Sequence, residues 1–193
     1  MLFEALLSLT MASCLAPGNI PILLSLFHGS RIDNGSDSQP HMHLQVLPRR
    51  LGDTVDDIPL QEWTKHIVPE KTFQSDVFPF IHRLHRFSSG DISPEQYHGV
   101  YLDMLQQLDL QTSSESANSS FNLIFTQDVM LMVPRALRDY EVTREDGSTL
   151  SIGINGAAFA GTLFVKSQDC LDHLRHVGPL AILQHVCKPV VSV

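Results

Sequence analysis

The chain has 193 residues, enough for one large domain or two small ones with a real core. It is 43% hydrophobic and 18% charged, with Asp and Glu outnumbering Lys and Arg by 21 to 13. The net charge of −8 gives no sequence-independent hold on a phosphodiester backbone, so nucleic-acid binding is disfavoured. No apolar run reaches the roughly 18 residues of a membrane span.

In chain order, MLFEALLSLTMASCLA could pass for a secretory signal, but it carries Glu4 and lacks a basic n-region. Leu2, Ala5, Leu6, Leu9 and Met11 suit an amphipathic helix better, stopped by Pro17-Gly18 and Pro21. ILLSLF, Ile22 to Phe27, reads as a buried strand, and HGSRIDNGSDSQP as a loop. HLQVLP alternates like a strand and ends at Pro48, and VFPFIHRLHRF, Val77 to Phe87, is a further strand candidate. Ser93-Pro94-Glu95 marks a helix start, with Tyr97, Val100, Tyr101, Met104, Leu105 and Leu108 at helical spacing behind it. QTSSESANSS, Gln111 to Ser120, is the best linker in the chain and suggests two regions, 1–112 and 119–193. Beyond it come strands over Asn122 to Thr126 and Val129 to Val133, then the turn-rich REDGS. A helix from about Ser167 to Val177 and another from Pro179 close the chain.

Cys14, Cys170 and Cys187 are odd in number, far apart and without a CxxC pair. They point to reduced thiols and a cytoplasmic setting rather than a disulfide frame.

The chemically interesting stretch is SDSQPHMHLQV. In a strand, His41, His43 and Gln45 project to one face while Met42, Leu44 and Val46 face a core. The preceding SDSQ supplies hydroxyls and backbone N–H groups of the kind that bind phosphate oxygens without net positive charge. An imidazole beside a phosphate site is a reasonable nucleophile, because its reference pKa of about 6.5 leaves much of it neutral at pH 7. Three readings remain open on spacing alone: histidines that merely sit at a surface, an HxH metal site, and a nucleophile acting on a phosphate. The metal reading lacks a Cys, Asp or Glu at ligand spacing beside His41 and His43.

SQPHMHLQVLP resembles the active-site signature of the diadenosine tetraphosphate phosphorylases, or ATP adenylyltransferases, a branch of the histidine-triad superfamily. FNLIFTQDVMLMVPR resembles that family's YNLLLT-x-x-WMLLVPR block, with Val129 where Trp is usual. INGAAFAGTLFVK resembles its xNxLGFAGxLLVK block, VFPFIHRL its LPFxH strand, and GPLAIL its closing helix. The blocks stand in the family's order from about Phe27 onwards.

The resemblance implies an α+β fold: a histidine-triad-like antiparallel sheet carrying His41, His43 and Gln45, with helices packed on one side. A C-terminal ATP adenylyltransferase-type region would complete a nucleotide cleft. It implies that His43 is the nucleophile on the α-phosphorus of a dinucleoside polyphosphate, that His41 orients the site, and that Gln45 binds a phosphate oxygen. Gln rather than a third His accompanies transferases in this superfamily, and an amide cannot titrate to help water finish the reaction. Ser36, Asp37, Ser38 and Gln39 fall on the family's phosphate loop. Asn155, Gly156, Ala157, Thr162 and Lys166 fall on its C-terminal nucleotide contacts, Lys166 as charge partner of the polyphosphate. Taken without the resemblance, Asn155 is an ordinary turn residue and Lys166 a solvated strand-end lysine.

The partners so implied are a dinucleoside polyphosphate, ATP, ADP and phosphate. No tightly bound cofactor is implied, Mg²⁺ arriving with the nucleotide. There are departures: Asp37 stands where the family loop has Ala, and Ser30 where it has Asn. Family members also place strands and a lysine-bearing segment ahead of the helix at Phe3. The chain is therefore expected to be an N-terminally truncated member, and a catalytically weak nucleotide-binding fragment is the alternative to a full nucleotidyltransferase.

Overall fold

A computed structural model describes residues 22–28, 43–48, 59–88, 92–110, 120–126 and 128–188, the first two segments as strand backbone. The predicted helix at residues 1–14 and the loop at 29–42 lie outside the described residues.

A six-stranded antiparallel sheet runs in the order β2-β1-β5-β6-β4-β3. Its strands are β1 (Ile22–His28), β2 (His43–Pro48), β3 (Thr72–Phe73), β4 (Arg83–Arg86), β5 (Phe121–Phe125) and β6 (Val129–Pro134). A hairpin of β7 (Asp139–Thr143) and β8 (Thr149–Gly153) forms a second, two-stranded sheet. The helices are α1 (Pro59–Thr64), α2 (Pro94–Gln107), α3 (Gly156–Phe159), α4 (Gln168–Val177) and α5 (Pro179–Val186). The architecture is α+β, as the sequence implies.

FNLIF and VMLMVP are apolar throughout because β5 and β6 sit mid-sheet and are buried along their whole length. These strands come from the far side of the Gln111–Ser120 stretch, yet they lie between β1 and β4 in one sheet. Both faces of that sheet are covered, which corrects the expectation of helices on one side. On one face Leu123, Phe125, Met130 and Met132 pack with Tyr97, Tyr101, Met104 and Leu105 of α2. On the other, Ile124, Leu131 and Val133 pack with Phe159 of α3 and with Ile182, Leu183 and Val186 of α5.

Local chemistry sets the helix ends. Ser93 Oγ accepts from Gln96 N (3.3 Å) and Gln96 Oε1 accepts from Ser93 N (2.7 Å), a reciprocal capping box with Pro94 behind it. Ser167 Oγ caps α4 through Cys170 N (3.2 Å). Gly178 ends α4 and admits Pro179 of α5, taking φ +90°, a backbone state that suits glycine. The REDGS turn closes the β7–β8 hairpin with Arg144 N donating to Ser148 O (2.8 Å).

Two segments differ from the sequence reading. The strand expected over Val77 to Phe87 is confined to Arg83–Arg86. Pro79 cannot donate to a ladder, and Phe78 and Phe80 are instead buried from an irregular stretch. The short elements α1, β3 and α3 also escaped the pattern, each too brief to display a period.

Candidate functional site

β2 carries His43 and Gln45 two residues apart, and its register with β1 pairs His43 with Phe27 and Gln45 with Ser25. β1 in turn pairs Phe27 with Asn122 and Ser25 with Ile124, and β5 pairs these with Val133 and Leu131 of β6. Two rows therefore cross the sheet: His43–Phe27–Asn122–Val133 and Gln45–Ser25–Ile124–Leu131. Residues paired directly across antiparallel strands share a face, and Ile124, Leu131 and Val133 belong to the face covered by α3 and α5. The rows of His43 and Gln45 thus lie on that face, not on the one beneath α2.

α3 packs against β1, the neighbour of β2, and against β5 beyond it. Its N-cap is Asn155, whose Oδ1 accepts from Ala158 N (3.3 Å). Gly156 and Ala157 form its first turn and are buried. Thr162 follows on the same turn, its N–H donating to Ala157 O (2.9 Å). The strands and α3 thereby bring His43, Gln45, Asn155, Gly156, Ala157 and Thr162 to one side of one sheet.

Lys166 is placed otherwise. It lines a cavity of about 510 Å³ between the β7–β8 hairpin and the start of α4, together with Arg138, Arg144, Ser167 and Asp169. Among the described residues, none of α3 lines that cavity. His41, Ser36, Asp37, Ser38 and Gln39 lie outside the described residues.

The sequence reading passed over a buried polar pair on the site face. Asn122 is wholly buried, and Arg135, just past β6, is 4% exposed. Arg135 Nη1 donates to Asn122 Oδ1 (2.6 Å) and to Ile154 O (3.2 Å), immediately ahead of Asn155. Its Nε and Nη2 donate to Leu137 O (3.0 and 2.6 Å), and its guanidinium lies 5.5 Å from the Phe159 ring centroid. Burial pushes the guanidinium down to about 10, because the interior favours the neutral form. The signal in the sequence was one Asn inside FNLIF and one Arg ending an apolar run.

His82 is also buried on this side. Ser75 N donates to its Nε2 (2.9 Å), so the proton sits on Nδ1, which donates to Phe80 O (2.8 Å). Burial lowers its pKa, and a ring with both nitrogens so engaged is a structural group. Among the described residues, no three His, Cys, Asp or Glu side chains gather closely enough to hold a metal ion. No helix among them is long and apolar enough to cross a membrane.

The family described as "ATP adenylyltransferase C-terminal domain" matches residues 76–189, more than half of the chain. The chain belongs to this family. Among solved structures, it is similar to yeast Ap4A phosphorylase Apa2, with TM-score 0.68 and 19% identity over 96% of this chain and 62% of that one. It is also similar to the same yeast protein in complex with AMP (TM-score 0.66, 18% identity, 96% of this chain and 63% of that one). The complex with Ap4A gives TM-score 0.62 and 18% identity, over all of this chain and 63% of that one. At such identities the likeness is one of fold, and it agrees with the histidine-triad-like α+β architecture that the sequence implied. The chain spans less than two thirds of the yeast protein's length. No curated protein sequence matches it.

Proposed function

We propose that this chain is the nucleotide-handling part of a nucleotidyltransferase that converts diadenosine tetraphosphate and phosphate into ATP and ADP. The observation that carries the reading is the alignment of β2, with His43 and Gln45, on the same sheet face as α3 and its N-cap Asn155. Two sequence blocks far apart in the chain thus share a sheet face, the Asn155 block inside the family match and β2 ahead of it. The solved yeast relative holds AMP in one structure and Ap4A in another, which supports a nucleotide as the ligand class.

In this reaction the neutral imidazole of His43 attacks the α-phosphorus. The bond to the bridging oxygen breaks, ATP leaves with that oxygen, and an adenylyl-histidine remains. Inorganic phosphate then attacks the same phosphorus, the P–N bond breaks, and ADP forms while His43 returns to its starting state. Gln45 donates an amide N–H to a phosphate oxygen and cannot titrate, so it offers water neither an acid nor a base. His41 orients the nucleophile, the SDSQ loop from Ser36 to Gln39 holds phosphate oxygens, and Asn155 to Ala157 and Thr162 contact the nucleotide. Lys166 offers charge to the polyphosphate chain. Mg²⁺ enters as part of the polyphosphate substrate, a role that suits an ion which keeps its waters. Two buried free thiols, Cys170 and Cys187, fit a reducing cytoplasmic setting.

His43→Ala tests the reading. With radiolabelled diadenosine tetraphosphate, the wild-type chain should form an acid-labile protein adduct that phosphate discharges as ADP. The variant should form none while still binding AMP. Near-full turnover by His43→Ala would overturn the covalent mechanism. Nucleotide binding without turnover by the wild-type chain would favour the alternative, a nucleotide-binding fragment of such an enzyme.

A further inference from the structure

We propose that Asn122 and Arg135 are a positioning pair for the nucleotide site, fixing α3 and its N-cap Asn155 against the strand row that carries His43. The inference rests on the function proposed above and extends it to two residues outside the HxHxQ and Asn155 motifs.

Asn122 is the polar member of a strand that is otherwise apolar and buried at every position. It occupies the row of His43, with Phe27 of β1 between them. Two strand spacings put the His43 and Asn122 Cα positions about 10 Å apart. A guanidinium only donates, so the Asn122 oxygen must face Arg135 and Nδ2 must face away. That Nδ2 is buried without a hydrogen-bond partner. A buried donor left unmatched is a cost that an apolar side chain of similar size would avoid. Among the described residues, Arg135 is the hydrogen-bond partner that holds the amide in this orientation.

Arg135 spends its other donors on backbone: Ile154 O ahead of α3, and Leu137 O and Arg138 O where the chain turns into β7. Its guanidinium also meets Phe159, the last residue of α3. One cation therefore touches the residue ahead of the α3 N-cap, the residue at the end of α3, and the strand beneath it. α3 has a single turn, too short to hold its own direction, and it lies on β1 and β5. A rotation of α3 would carry Asn155 and Gly156 away from the His43 row, and the pair opposes that rotation. Lysine cannot replace the fork, since an ammonium has three donors at one point.

The test is AMP and ATP affinity by calorimetry, well below the melting midpoint, with thermal melting alongside. Asn122→Leu and Arg135→Lys should each weaken binding by about tenfold or more, as expected for losing hydrogen bonds to a charged group. Asn122→Asp keeps an oxygen for Arg135 and should bind within about threefold of wild type, because its loss of Nδ2 is immaterial to the tie. If Asn122→Leu does not fold, Asn122→Ser, whose oxygen falls short of Arg135, carries the same expectation. A purely structural pair would lower the melting point of these variants but leave the affinity of the folded protein unchanged, and that result would overturn the proposal. So would Asn122→Asp binding as poorly as Asn122→Leu, which would mark Nδ2 as the group that matters. Failure of the wild-type chain to bind either nucleotide would refute the proposed function and this inference together.

Discussion

Asn122 and Leu123 are consecutive residues of β5, both wholly buried, and they serve opposite faces of the sheet. Leu123 lies beneath α2 among Tyr97, Tyr101, Met104, Phe121 and Met132, a layer of aliphatic, thioether and aromatic groups. Asn122 holds Arg135, which in turn holds the backbone around α3. The α2 face gains its stability from area removed from water, a force without direction. The other face includes groups that only work at set distances and angles, and it is the face on which the His43 row lies. Both faces are cohesive through apolar burial, while directed placement by Asn122 and Arg135 falls to one side of the strand.

The largest effect expected from breaking this division is on stability alone. Leu123→Ala should cost about 2–5 kcal/mol by leaving a cavity under α2. In a chain of this size the melting midpoint should then fall by roughly 5–15 °C. The AMP affinity of the folded fraction should stay as it was. A tenfold change in that affinity would show that the α2 face also sets the site.

A smaller effect is expected at the joint between α1 and α3. Gly161 has φ +104°, and a Cβ there would come 2.4 Å from Pro59 Cβ. Leu60 N donates to Ala160 O (3.1 Å) at the same joint. Gly161→Ala should cost about 1–3 kcal/mol in backbone strain and contact. Because the strain falls on the turn that leads from α3 into Thr162, AMP binding should weaken as well. Melting and calorimetry on the same sample check this, and lost stability with unaltered affinity would blur the contrast between the faces.

The smallest effect is in acid, where each face carries a buried histidine. His82 stands with Phe78 and Phe80 on the site side, and His85 beside Phe87 on the other. Burial lowers both pKa values below 6.5. Below pH 6.5 the unfolded chain takes up protons that the folded one refuses, so stability falls with pH until the lowered folded values are reached. The slope is at most about 1.4 kcal/mol per pH unit for each histidine. His82→Gln can still accept from Ser75 N and cannot titrate, so it should remove its own share of the slope and leave that of His85. Melting points measured from pH 7 to pH 5 decide it. An unchanged slope in the variant would deny His82 its part.

Much of the fold was legible because its signals are local. Ser93 and Ser167 announce helices through hydrogen bonds that span three residues, and Pro179 directly after Gly178 divides the second of these from α5. ILLSLF and HLQVLP read as strands from their own composition, and FNLIF and VMLMVP show their burial in it. The strand at Val77 to Phe87 was overread because an apolar irregular stretch and an apolar strand look alike until Pro79 is weighed. α3 was missed because four residues contain one turn and no repeat.

The candidate site divides in the same way. The sequence by itself determined the chemistry available: an HxHxQ motif with imidazole and amide groups, an acidic chain of net charge −8, and family blocks in order. Only the tertiary structure decided which of these groups share a face. It brought His43 and Gln45 into line with Asn122 and Ile124, set α3 beside them, put Lys166 in a cavity beside the β7–β8 hairpin, and brought Arg135 against Ile154 across 19 positions of chain. The physical reason is that register and packing are long-range quantities. They depend on which strands pair and which faces are covered, and no window of neighbouring residues contains that information.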